Sequence, residues 1–176
     1  MVTFTPLSGG ACRVQTSTAV FDVFPKNADT TKWSLLSNPS ESLESKQVIS
    51  WPGEYDFSGV TLRAIGQEAG KQVSYSAHND GIRMGFVNTP ILAWSDADLE
   101  RLGDVDVLVV VPDDTKRLTA LIEAIDPRVI LLCGGTPSDA LGAAKVFGQS
   151  PAPVSEFKVK PGTLPQDGRQ VVILQN

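Results

Sequence analysis

Histidine is nearly absent from this chain: His78 is the only one in 176 residues. A zinc or paired-metal hydrolase site draws several imidazole and carboxylate ligands together at roughly 2.0–2.2 Å from the metal. A site of that kind, built on histidines, is therefore excluded. Cysteine is almost as scarce. Cys12 and Cys133 lie far apart in the chain and read as two buried free thiols of a reducing compartment. Clustered positive charge is missing too: 15 Lys and Arg are scattered among 20 Asp and Glu, giving a formal net charge of −5. Such a surface repels phosphate backbones and anionic lipid, so neither nucleic acid nor a membrane is an expected partner. No apolar run approaches the length of a membrane span. The first residues, Met1 to Pro6, have neither the basic nor the apolar region of a secretion signal. A soluble cytoplasmic protein is the expectation.

What the chain does have is strand signals, with 41% hydrophobic residues, enough for one well-buried core and a single domain over 1–176. Cys12 to Thr16 and Ala19 to Phe24 are rich in strand formers and predict a hairpin. Pro25 to Ser50 reads as loop around two short strands at Leu35-Leu36 and Val48-Ile49. Val60 to Ile65 alternates and predicts a strand. Lys71 to Ala77 and Ile82 to Val87 flank His78-Asn79-Asp80-Gly81, and Asp-Gly between two strand-like runs marks a type I′ hairpin. Ser95 is placed to cap a short helix through Arg101, which Gly103 ends.

The pattern then changes. Val105 to Val111 is a near-continuous apolar run, the mark of a strand buried on both faces. Asp113 or Asp114 can cap a helix through Ile125, with Leu118, Leu121, Ile122 and Ile125 on one stripe. Val129 to Cys133 is a second buried strand, which makes a strand–helix–strand unit with parallel pairing and a right-handed crossover. A weak Ala-rich helix from Ser138 to Phe147 follows, then strands at Val154 to Lys160 and Val171 to Leu174. A β-rich first half followed by this unit predicts two sheets with helices packed outside them.

Four motifs in this order carry a family resemblance. They are Trp51-Pro52-Gly53-Glu54-Tyr55 followed by Ser58-Gly59-Val60; Asp80-Gly81-Ile82-Arg83; Leu102-Gly103-Asp104-Val105-Asp106-Val107-Leu108; and Thr163-Leu164-Pro165 before the last strand. Over nearly its whole length the chain resembles the metallo-β-lactamase superfamily. It is most similar to the small bacterial branch that includes ascorbate-6-phosphate lactonases and predicted zinc-dependent hydrolases. The resemblance implies an α/β fold, an αββα sandwich of two mixed sheets packed face to face with helices outside, here reduced in size. It also implies oligomers.

The resemblance further says where metal ligands should stand. The family's His-x-His-x-Asp-His falls on Ser37 to Leu43, where Asn38, Ser40 and Leu43 replace histidines and Ser42 replaces the aspartate. Its His-x-Gly-Asp falls at Phe86 and Thr89, and its last histidine near Gly134. Asp22 matches an aspartate that supports the family's site from behind the ligands. Hydroxyl, apolar and aromatic side chains cannot stand in for imidazoles, and without the metal both the Lewis acid and the activated water are lost. No catalytic residue, metal or other cofactor is therefore expected, and these eight positions mark a remnant cleft.

Other polar features have ordinary explanations. His78 sits at a strand end beside a turn, Asp113-Asp114 where a helix needs capping, and Glu54 and Tyr55 after a Pro-Gly turn. Cys133 has no basic neighbour in sequence to form a thiolate, and Gly134-Gly135-Thr136 before a helix is weak ground for an anion site. Trp33, Trp51, Trp94, Phe86 and Leu43 could fill the former cleft or form a contact surface. The expectation is a degenerate metallo-β-lactamase-fold protein that binds no metal and serves as a binding or assembly protein, for an unknown protein partner or its own copies. The alternative is a rewired metal-dependent hydrolase of lactones or phosphoesters, using Asp22, Asp113, Asp114 and His78.

Overall fold

Alternating apolar residues in the first half, and continuous apolar runs in the second, sort the strands by how many of their faces are covered. The computed structural model describes residues 1–41 and 45–175. In chain order the first half forms β1 (Val2–Pro6), β2 (Cys12–Gln15), β3 (Val20–Val23), β4 (Trp33–Leu35), β5 (Val48–Ile49), β6 (Gly53–Phe57), β7 (Val60–Gln67), β8 (Gln72–Asn79) and β9 (Ile82–Val87). The second half forms α1 (Asp96–Leu102), β10 (Val107–Val110), α2 (Thr115–Ile125), β11 (Val129–Cys133), α3 (Pro137–Val146), β12 (Phe157–Val159) and β13 (Gln170–Leu174).

These strands make two mixed sheets. One has the order β12-β1-β2-β3-β4-β5, the other β13-β11-β10-β9-β8-β7-β6. In the second sheet β9, β10, β11 and β13 run parallel, and β9 back to β6 runs antiparallel. Strand alternation fills two cores. Val107, Val109, Val129, Leu131, Cys133 and Val172 face the other sheet, where they meet Val2, Phe4, Val14, Phe21 and Leu35. Leu108, Val110, Ile130, Leu132, Val171 and Ile173 face the opposite way, onto Leu102 of α1, Leu118, Leu121 and Ile122 of α2, and Ala140, Ala143 and Ala144 of α3. The chain is thus an α/β sandwich of reduced size. The reduction falls on one side: among the described residues all three α-helices pack on the seven-stranded sheet.

Local chemistry fixes the joints. Ser95 and Asp98 form a capping box at the start of α1, and Thr136 and Asp139 do the same for α3. Asp114, not Asp113, caps α2 through the Arg117 N–H. The β8–β9 turn has Asp80 and Gly81 both at positive φ, +52° and +72°, as a type I′ turn requires. The strand before it runs through His78 to Asn79, further than the sequence indicates.

Three elements depart from the sequence reading. β1 and β6 are strands that the sequence did not suggest. The run from Val154 to Lys160 is not one strand: Val154 bridges to Leu174 of β13 in one sheet, and only Phe157 to Val159 pair with β1 in the other. This segment therefore crosses between the layers.

Candidate functional site

In sheets with parallel strands, ligands gather at the carboxyl ends. Here β9, β10 and β11 end together, at Asn88-Thr89, Val111 to Asp114 and Gly134-Gly135, and the loop after β4 joins them. Many of their polar groups are hydrogen-bonded locally. The Thr89 hydroxyl donates to Asp113 Oδ2 at 2.6 Å. Asn88 Nδ2 donates to the Ser37 carbonyl at 3.0 Å, while its Oδ1 accepts the Thr89 N–H at 2.7 Å. The Val73 N–H also reaches the Ser37 carbonyl, at 2.8 Å. Asn38 Nδ2 donates to the Lys71 carbonyl at 2.8 Å, and its Oδ1 accepts from Ser37 Oγ at 2.8 Å. The Ser40 N–H reaches Ser50 Oγ at 3.2 Å. The buried Tyr75 hydroxyl donates towards the carbonyls of Leu36, at 2.6 Å, and Ile49, at 2.9 Å. Burial raises the Tyr75 pKa, so the hydroxyl stays a donor.

The β1–β2 turn closes the other side. Gly134 has φ +85°, and a Cβ there would lie 2.4 Å from Gly10 Cα and 2.9 Å from Gly10 N. Two backbones touch where the resemblance expects a histidine. Nearby, the Cys133 thiol donates to the Ala11 carbonyl at 3.3 Å. The thiols of Cys12 and Cys133 are free and buried; a hydrogen bond between them, and then burial, raises the Cys12 pKa.

The eight expected positions separate accordingly. Asn38, Ser40, Thr89 and Gly134 gather at this end. Ser42 and Leu43 lie outside the described residues. Phe86 does not line a cleft: it is fully buried between the sheets, edge-on to Phe21 with ring centroids 6.3 Å apart. Asp22 also lies elsewhere. Its neighbours Phe21 and Val23 point into the core, so alternation turns it to the outer face of the six-stranded sheet. There it takes a bidentate pair from Arg13, Nε to Oδ1 at 2.7 Å and Nη2 to Oδ2 at 2.8 Å, which raises the Arg13 pKa. Asn88, which no motif in the sequence singles out, is the buried polar residue at the end of β9. An amide closing an apolar strand beside Thr89-Pro90 was the available signal.

His78 is exposed on β8, opposite Arg83 and Thr61, away from this end. It lines a shallow cavity of about 260 Å³ with Arg63, Arg83, Glu54 and Asp104. Those charges are already paired, Arg63 with Glu54 at 2.8 Å and Arg83 with Asp104 and Asp106 at 2.7 and 2.8 Å. Burial pushes the Asp106 pKa up, but the Arg83 guanidinium and N–H outweigh it and hold the carboxylate below its ordinary range.

No family profile and no curated protein matches the sequence. The fold has clear counterparts. A metallo-β-lactamase-superfamily protein from Thermotoga maritima superposes with a TM-score of 0.75 at 17% identity, covering 99% of both chains. This chain has the metallo-β-lactamase fold. YhfI from Bacillus subtilis, a protein of the same fold, matches with a TM-score of 0.60 at 10% identity, over 98% of this chain and 96% of its own. The CmlA β-hydroxylase matches with a TM-score of 0.61 at 8% identity, over 99% of this chain and 52% of its own.

Within a metallo-β-lactamase fold, the end just described is the one to test for metal, and its residues do not fit one. Among the described residues, no three His, Cys, Asp or Glu side chains are grouped as a metal ion needs. Among the described residues Asp113 is the carboxylate that meets this network, and its oxygens accept from Thr89 Oγ1 and the Asp114 N–H. Gly134 has no room for a ligating side chain. Among the described residues no helix is long and apolar enough to cross a membrane.

Proposed function

We propose that this protein is a catalytically degenerate member of its fold that works by binding, as a metal-free partner or assembly protein. The observation that carries the reading is the carboxyl end of β9, β10 and β11. There Asn88 is bonded to Thr89 and to Ser37 of the loop after β4, Thr89 to Asp113, and Asn38 of that loop to the Lys71 carbonyl, while Gly134 is packed against Gly10. A hydrolytic site needs open coordination positions and a water aimed at substrate; this end offers a hydrogen-bonded lid instead. An acidic chain with two buried thiols suits the cytoplasm, and binding to a partner or to its own copies uses the sheet edges rather than the cleft.

The test is an assay against lactones and phosphomonoesters after incubation with zinc, manganese or iron. The expected result is no turnover above buffer with any metal. Turnover that a chelator abolishes and fresh metal restores would overturn the reading in favour of a rewired hydrolase.

A further inference from the structure

The seven-stranded sheet ends at β6, whose outer side has no partner strand among the described residues. β6 pairs with β7 in unbroken register, Phe57 opposite Val60, Tyr55 opposite Leu62 and Gly53 opposite Ala64. Ser58 and Gly59, at φ +46° and +77°, form the two-residue turn, so Phe57 and Val60 exchange both ladder bonds. Alternation then directs the N–H and C=O of Tyr55 to β7, and those of Glu54 and Asp56 to the free edge. Among the described residues no turn or loop hydrogen bond claims the backbone groups of Glu54 or Asp56. The strand contains no lysine, proline or bulge, and its only charges are those of Glu54 and Asp56.

The two faces beside this edge differ. On the outer face stand the exposed carboxylates of Glu54, held by Arg63, and Asp56, which has no ion-pair partner among the described residues. On the inner face a slot of about 340 Å³ opens between the edges of the two sheets. Its apolar lining is Trp33, Val48, Ile49, Tyr55 and Phe57, and Ser45, Lys46 and Asp56 also border it. Trp33 is stacked on Phe57 with ring centroids 4.1 Å apart, which gives the slot an aromatic wall. Trp51, about half exposed, stands just before the strand.

We propose that the β6 edge receives an extended segment of a partner protein in which basic and apolar residues alternate. The added strand would pair with the free backbone groups of Glu54 and Asp56, set a Lys or Arg side chain beside the unpaired Asp56 carboxylate, and place apolar side chains over the Trp33–Phe57 slot. A second copy is the poorer occupant. Antiparallel self-pairing about Tyr55 sets Glu54 opposite Asp56 of the other copy, and like charges directly opposite destabilise a sheet. A net charge of −5 on each chain adds to that repulsion.

This inference gives the binding-protein reading a surface and a partner chemistry, and it rests on that reading for its biological meaning. It is tested by calorimetric titration of the metal-free protein with a capped Lys-Phe-Lys-Val-Lys peptide and its Glu-Phe-Glu-Val-Glu counterpart at low ionic strength. The basic peptide is expected to bind at least tenfold tighter, with affinity falling as salt rises. Asp56→Pro removes an N–H that points away from β7, so it should abolish binding with the circular dichroism spectrum unchanged. The double variant Glu54→Lys/Asp56→Lys should reverse the preference between peptides, and it keeps the test intact if the proline variant misfolds. Equal affinities, no saturable binding of the basic peptide, or unchanged preference in the double variant would overturn the edge site. Those results would leave the metal-free reading standing. Basic-peptide binding by a chain that also turns over substrate with metal would keep the edge site and remove that reading.

Discussion

Gly134→Ala should destabilise the protein by about 3 kcal/mol. At φ +85° an alanine pays about 1–2 kcal/mol for a left-handed backbone. Its Cβ would also stand 2.4 Å from Gly10 Cα, which forces the β1–β2 turn away, and overpacking of this kind costs about 1–3 kcal/mol. In a chain of this size each kcal/mol moves the Tm by about 2–4 °C, so a drop of roughly 6–12 °C is expected. Differential scanning calorimetry reads it directly. Gly142→Ala is the control. Gly142 lies in α3 with nothing within 4 Å of its would-be Cβ, so the same change should stabilise by roughly 0.5–1 kcal/mol. If Gly134→Ala keeps the wild-type Tm, or the two variants shift it in the same direction, the closed end described here is wrong.

Other changes test other parts. Tyr75→Phe removes the hydroxyl that serves the Leu36 and Ile49 carbonyls; a loss of about 1–3 kcal/mol is expected in urea unfolding, and an unchanged midpoint would contradict that role. Asp80 is held down to about 2 by hydrogen bonds from the Ser17 hydroxyl and the Met1 amine. Its folded pKa is below the unfolded value of about 3.9, so its contribution is present above about pH 4 and is lost as pH falls towards 2. The stability gap between wild type and Asp80→Asn should therefore close over that window; a gap that stays constant would refute the assignment. Cys12 and Cys133 are buried, so Ellman's reagent should find no fast thiol in the native protein and two after denaturation. A rapid native reaction would mean that this end opens.

The parallel half of the fold was legible because its signals are strong and local. Val107 to Val110 and Val129 to Cys133 are buried on both faces, which leaves a continuous apolar run in the sequence, and Ser95 and Asp114 cap helices through their own side chains. β6 was not legible. An edge strand with one face in water reads Gly-Glu-Tyr-Asp-Phe, and only pairing with β7 makes it a strand. β1 shows alternation at Val2, Phe4 and Pro6, but a five-residue strand at the start of the chain competes poorly with the absence of other signals. At the candidate site the loss of histidines was plain, whereas its consequence was not. The sequence cannot show that Gly134 meets Gly10, a contact between residues more than a hundred positions apart. Nor can it show that Asp22 turns away to Arg13 and Phe86 inward to Phe21, because a shift of one residue reverses the face a strand side chain occupies.

On the function proposed above, the carboxyl end of the seven-stranded sheet holds its own hydrogen bonds in place of a metal centre. The most direct test of this is metal content by mass spectrometry, on protein purified without chelator and again after incubation with zinc, manganese and iron followed by desalting. The account predicts far less than one metal ion per chain in both samples. Near-stoichiometric metal that survives desalting, and is lost on Asp113→Ala, would contradict it.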